Sequence, residues 1–149
     1  MTEGLLELVP VSRVNFKRVV KLKVEEHEEK FVAPNMYSIA EAYVEPETYP
    51  MAIYYRHEPV GFMLYGKFIE DKGEWWIGRL MVDKAHRRQG IAERASKIAI
   101  ENMKKLGADK NIFVSFVPTN VEAKQLYKKL GFVDTGREES KETVYRLDL

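Results

Sequence analysis

A chain of 149 residues fits one ordinary domain with room for a sizeable core, and its make-up, 45% hydrophobic and 32% charged, is that of a soluble globular protein. It has no cysteine, which excludes disulfide scaffolds, thiolate zinc sites and thiol nucleophiles, and its three histidines, His27, His57 and His86, are scattered, so no metal is expected. A net charge of +1 is too small for a nucleic-acid binder, and no apolar run approaches the roughly 18 residues of a membrane span.

The opening Met1-Thr2-Glu3-Gly4 lacks the basic-then-apolar start of a secretory signal, so the cytoplasm is the expected compartment. Charge is unevenly spread. Residues 25–49 hold seven acids (Glu25, Glu26, Glu28, Glu29, Glu41, Glu45, Glu47) against Lys30, whereas residues 79–110 hold nine bases against four acids. Such a split suits an anionic ligand on one side and a cationic one on the other, and equally suits solvated helix faces.

Residues 5–11 alternate loosely and predict a strand; residues 14–24 have helical spacing, and 38–43, after Pro34 and Asn35, predict a short second helix. Residues 51–56 and 60–67 are apolar, aromatic runs separated by His57-Glu58-Pro59, a hairpin signal. Asp71-Lys72-Gly73 makes a turn before a third strand over 75–82. A long helix is expected from about Gly90 to Leu106, with Ile91, Ala95, Ile98, Ala99 and Leu106 on one face and Gly107 as its stop. Residues 112–117 read as a buried strand ended by Pro118. Thr119 or Asn120 caps a helix striped by Ala123, Leu126, Tyr127 and Leu130 and closed by Gly131, and Thr119 with Glu122 matches a capping box. Strands over 132–137 and 143–149 close the chain. The order β-α-α-β-β-β-α-β-α-β-β, with no repeat or linker, predicts one domain over residues 1–149. Its expected fold class is α/β, a sandwich with a mixed sheet of about seven strands and flanking helices.

The basic loop after the 75–82 strand, with Lys84, His86, Arg87 and Arg88, leads to Gly90 and a helix start. Free N–H groups and the positive end of the helix dipole make such a start an anion site. Gly90 lets the backbone turn or approach a ligand, Ala92 keeps that access, and the arginines suit phosphate oxygens. Neither a P-loop nor a dinucleotide fingerprint is present, because Gly90 is followed by Ile91-Ala92 and stands as a single glycine.

Leu80-Met81-Val82-Asp83 followed by Arg87-Arg88-Gln89-Gly90-Ile91-Ala92 resembles the acetyl-CoA signature of the GNAT N-acetyltransferases. The run from Asn120 through Ala123, Leu126 and Tyr127 to Gly131-Phe132 resembles the second signature of that family. Phe31-Val32-Ala33-Pro34-Asn35 and the 53–66 hairpin look like bacterial spermine/spermidine N-acetyltransferases. The resemblance covers nearly the whole chain and implies an N-acetyltransferase that uses acetyl-CoA as co-substrate and a small primary amine, such as a polyamine, as acceptor. It implies no nucleic-acid or membrane partner. The family often pairs through sheet edges or helices, which makes a homodimer an expectation.

Residue roles follow from that resemblance. The backbone of Leu80, Met81 and Val82 is expected along the pantetheine arm, and Arg87, Arg88, Gln89, Gly90, Ile91, Ala92 and Glu93 around the pyrophosphate. Asn120 is expected to contact the co-substrate or simply to cap its helix. Tyr127 is the expected catalytic acid, a phenol protonated at neutral pH; its position on an apolar stripe also fits a core aromatic. Polyamine acetyltransferases often carry a carboxylate where this chain has Gly78, so the proton acceptor is open, with Glu28, Glu41, Tyr37 and a water held by Ser115 as stand-ins. Glu28 and Glu41 are the expected substrate-binding carboxylates. Acetylation of a protein N-terminus, lysine or aminoglycoside is the rival reaction, and a non-catalytic acyl-CoA sensor is the rival of another class.

Overall fold

The computed structural model describes residues 4–149; Met1, Thr2 and Glu3 of the N-terminal stretch read above lie outside the described residues. The elements are β1 (Leu6–Pro10), α1 (Phe16–Lys21), α2 (Asn35–Val44), β2 (Glu47–Tyr55), β3 (Glu58–Lys67), β4 (Trp75–Val82), α3 (Ile91–Leu106), β5 (Asn111–Phe116), α4 (Val121–Lys129), β6 (Val133–Glu139) and β7 (Glu142–Asp148). Short 3₁₀ turns fill Glu26–Phe31, Ile69–Asp71 and Lys84–His86. The seven strands form one sheet in the order β1-β2-β3-β4-β5-β7-β6. All its pairings are antiparallel except the parallel one between β4 and β5.

Alternation along the strands builds a separate core on each face. Ile53, Met63, Ile77, Ile112 and Val114 pack with α3 and Tyr127 on one side. Ala52, Phe62, Leu64, Trp76, Phe113 and Val144 pack with Val19 of α1 on the other. Along α3, Ile91, Ala95, Ala99 and Met103 recur every fourth residue and are buried. Burying each larger side chain contributes about 1.5–3 kcal/mol.

Several local expectations need correction. Leu106 is 46% exposed and Met103 completes the α3 stripe, because the four-residue step carries past Leu106. Helix α1 is shorter than the 14–24 span: Val14 is exposed, only Val19 is buried, and the chain leaves the helix at Leu22. The β2–β3 turn is Arg56-His57 alone, both with positive φ (53° and 68°), while Glu58 and Pro59 belong to β3. Positive φ at both central positions matches the turn to the strand twist. At α4 the cap is Asn120, whose Oδ1 accepts from the Ala123 N–H at 3.2 Å. Glu122 turns away to Arg87, so the box with Thr119 does not form.

Two irregularities in β4 shape the molecule's centre. Against β3, Leu64 faces Arg79 and Tyr65 faces Ile77, which leaves Gly78 as an extra residue in a bulge. Against β5, only Trp75 and Trp76 pair, with Ile112 and Phe113. Beyond Trp76 the two strands part, and among the described residues one edge of residues 78–82 has no ladder partner.

Candidate active site

Two cavities meet at this parting of β4 and β5. The larger, about 440 Å³, is lined by Leu80, Met81, Val82, Arg87, Arg88, Gln89, Gly90, Ile91, Ala92, Glu93, Asn120 and Tyr127, and also by Glu28. The second, about 390 Å³, is lined by Lys30, Gly78, Arg79, Ser115, Phe116 and Glu142. Phe31, Val32, Leu80, Asn120, Ala123 and Tyr127 line both, so Tyr127 stands on the shared wall.

The loop from β4 to α3 is curled by two residues in the left-handed region, Arg88 (φ 62°) and Gly90 (φ 72°). A Cβ at residue 90 would meet no atom within 4 Å, so the space beside it is open. Gly90 caps α3 without a side-chain hydrogen bond. The first N–H groups of the helix therefore keep their donor capacity for an anion.

The segment before the Glu26–Phe31 turn is fastened to this loop. Lys23 N–H donates to Asp83 Oδ1 at 2.8 Å, and Lys84 N–H returns a bond to the Lys23 carbonyl at 2.7 Å. Arg87 donates from both terminal nitrogens to the Glu28 carboxylate, one contact being 2.8 Å, and also reaches Glu122 Oε2 at 2.6 Å. The Arg87 hydrogen bond holds the Glu28 carboxyl below the usual carboxylate range, and Glu28 raises the Arg87 guanidinium in turn. Glu93, on the same cavity wall, is lowered by Lys129 and then by Lys97. Arg88 is exposed and has no ion pair among the described residues.

Tyr127 is 7% exposed. Its ring stacks on Phe116 at 5.9 Å and meets Phe132 edge-on at 5.4 Å. Burial pushes its phenol well above the ordinary value, so it stays protonated across the neutral range.

The two carboxylates expected to bind substrate do not come together. Glu28 is held by Arg87 at the larger cavity, while Glu41 on α2 lies in neither cavity wall and pairs with Arg79 at 3.2 Å. Gly78 leaves no room for a carboxylate: a Cβ there would stand 2.5 Å from Cζ of the buried Phe68. Ser115 is in the second cavity, where its hydroxyl donates to Glu142 Oε1 at 2.8 Å. Sequence reasoning missed Glu142. It belongs to neither signature, and only the pairing of Ser115 with Val144 brings it near. Tyr37 is exposed on α2, outside both cavity walls. Among the described residues no group of three or more acidic or histidine side chains gathers to hold a metal, and no helix is long and apolar enough to cross a membrane.

A probable spermine N(1)-acetyltransferase from Bacillus subtilis subsp. natto (strain BEST195) is 32% identical over 92 residues, 58% of this chain and 60% of that protein. The spermine/spermidine N(1)-acetyltransferase of Bacillus subtilis (strain 168) is 30% identical over 92 residues with the same coverage. The match thus spans 60% of the length of these curated relatives. Among solved structures, a Bacillus subtilis acetyltransferase in complex with CoA superposes at a TM-score of 0.71 over 99% of both chains, with 18% identity, a likeness of fold. The profile of the Acetyltransferase (GNAT) family matches residues 16–132, from α1 to the end of the loop after α4, and the chain belongs to that family.

Proposed function

We propose that the protein transfers the acetyl group of acetyl-CoA to a primary amine, with a polyamine such as spermidine or spermine as acceptor. The observation that carries the reading is the junction of two cavities at Tyr127 where β4 and β5 part. One cavity has the helix start and curled loop that suit a pyrophosphate; the other is lined by Arg79, Ser115 and Glu142 beside the same Tyr127. The residues fit the co-substrate, because the cradle at Gly90 is open and an unpaired strand edge at residues 78–82 can take an extended amide-bearing arm like an added strand. Acetyl-CoA supplies a thioester whose carbonyl carbon accepts the amine.

The chain's residues then have distinct tasks. Arg88 and the first N–H groups of α3 bind phosphate oxygens. An N–H on the free edge of β4 donates to the acetyl oxygen as charge gathers there. Tyr127 passes its proton to the departing sulfur and is reprotonated from the nitrogen, whose acidity rises as it bonds to the acyl carbon. Arg87, already matched by Glu28 and Glu122, chiefly fastens the Glu26–Phe31 turn over the cavity.

The names of the two Bacillus relatives support the polyamine as acceptor. The acid-rich stretch over residues 25–49 supports it more weakly, since Glu28 on the turn and Glu41 on α2 each have an arginine partner. The test is acetyl-CoA turnover, read as free thiol, with spermidine and spermine beside aminoglycosides, amino acids and peptides. Preferential turnover of the polyamines supports the proposal; preference for another amine keeps the reaction and replaces the acceptor.

A further inference from the structure

We propose that Glu142, held by Ser115, receives the acceptor's ammonium group and takes its proton. The proposal rests on the acetyl-transfer reading above and supplies the proton acceptor that Gly78 cannot.

Glu142 is the carboxylate of the second cavity among the described residues. Its side of the sheet follows from register. Ser115 pairs with Val144, which packs with Phe62, Phe68 and Trp76 on the α1 side, so Ser115 and Glu142, two residues from Val144, belong to that same side. Tyr127 packs on the opposite side, with α3. The gap between β4 and β5 therefore has a phenol at one face and a carboxylate at the other. A thioester carbonyl lying in the gap would have its sulfur served by Tyr127 and its approaching amine served by Glu142.

The carboxylate is also oriented. Ser115 Oγ donates to Oε1 at 2.8 Å, and Oε2 has no hydrogen-bond partner among the described residues. That leaves one oxygen to accept from an ammonium group, a charge-assisted bond. The charged and titratable groups around it are Lys30 from the 3₁₀ turn, Arg79 from β4, Tyr127 from α4 and, directly opposite it on β6, Glu139, which Arg137 holds. Glu41 compensates Arg79. Glu28 and Glu41 cannot serve in the same way, because each is already bound to a guanidinium.

The proton count closes. The ammonium gives one proton to Glu142 Oε2, and the freed lone pair bonds to the acetyl carbon while the carbon–sulfur bond breaks. A second proton leaves the nitrogen and ends on sulfur by way of the Tyr127 hydroxyl. Glu142 then releases its proton to solvent. Ammonium plus thioester becomes amide, thiol and one proton.

The experiment compares the parent with Glu142→Gln, Glu142→Asp and Ser115→Ala, using spermidine and acetyl-CoA. For Glu142→Gln we expect kcat/KM for the amine to fall about a hundredfold, the range for loss of a general base, with unchanged acetyl-CoA affinity. Its pH profile should also move: only amine that arrives neutral can react, so the acid limb shifts toward the amine's own pKa, about 10.4 for a lysine-like amine. Glu142→Asp should keep the parent's profile at a lower rate, and Ser115→Ala should show a smaller loss in the same direction; Ser115→Ala carries the test if Glu142→Gln does not fold. An active parent with Glu142→Gln matching it in rate and profile overturns the proposal and leaves acetyl transfer intact. So does a slower variant whose profile has not moved and whose acetyl-CoA affinity has fallen, since that marks a structural role. A parent that turns over no amine at all overturns the functional reading itself.

Discussion

Glu28 and Arg87 join two parts of the chain that have no strand or helix in common. The carboxylate on the Glu26–Phe31 turn holds both terminal nitrogens of a guanidinium in the loop before α3. Because Arg87 holds the Glu28 carboxyl below its ordinary 4.5, the unfolded chain takes up this proton at higher pH than the folded chain does. The pair's contribution is therefore fully present above about 4.5 and is lost as pH falls through the lowered folded value. Urea unfolding of the parent and Glu28→Gln should show a stability gap that is constant near neutrality and closes in acid. A gap that widens in acid would contradict the pairing.

Gly90 separates a backbone demand from a charge demand. Its φ of 72° costs an ordinary residue about 1–2 kcal/mol, and asparagine and aspartate tolerate it better. There is space for a side chain, since a Cβ would touch nothing within 4 Å. Gly90→Asn should thus fold and bind acetyl-CoA with a modest loss. Gly90→Asp, nearly the same shape but negative, should bind about tenfold more weakly than Gly90→Asn, which corresponds to ~1.4 kcal/mol. Calorimetric titration checks this, and equal affinities for the two variants would move the phosphate site away from α3.

Gly78 and Phe68 are complementary in size. A side chain at 78 would drive into the Phe68 ring, so Gly78→Glu should lose about 1–3 kcal/mol through overpacking. In Phe68→Leu the same change should cost less than in the parent. A double-mutant cycle in urea measures the coupling, and strict additivity would mean that the ring is not the obstacle.

Asn120 caps α4 through Oδ1, and Asn120→Ala should cost about 0.5–2 kcal/mol. Asn120→Ser keeps a capping oxygen and removes the amide. If the amide also contacts the co-substrate, Asn120→Ser will retain stability while acetyl-CoA affinity falls. Unchanged affinity would restrict Asn120 to the cap.

Much of this arrangement was legible in the residues. Periodicity and glycine stops located α3 and α4 closely, because Ile91, Ala95 and Ala99 on one helix and Ala123, Leu126 and Tyr127 on the other face the core. The two signatures brought together most of the residues that line the larger cavity, though not Val24, Phe31 and Val32 from the other side of it. Long-range pairing was not legible. Glu41 meets Arg79 across 38 positions, and Arg87 meets Glu28 across 59, so the acid-rich stretch looked freer than it is. The parting of β4 from β5 after Trp76 depends on which residues the ladder omits, and Glu142 nears Ser115 only through the β5–β7 register. Propensity acts on neighbours and does not encode register.

In the proposed reaction, acetyl transfer takes place where the two cavities meet at Tyr127. This is tested most directly by comparing Tyr127→Phe with the parent in single-turnover reactions with saturating acetyl-CoA and spermidine, beside the acetyl-CoA dissociation constant of each. Phenylalanine keeps the ring contacts with Phe116 and Phe132. We expect an unchanged dissociation constant and a rate of thiol release about 10²–10⁴-fold lower, the range for loss of a general acid. An undiminished single-turnover rate in Tyr127→Phe would contradict this role for Tyr127.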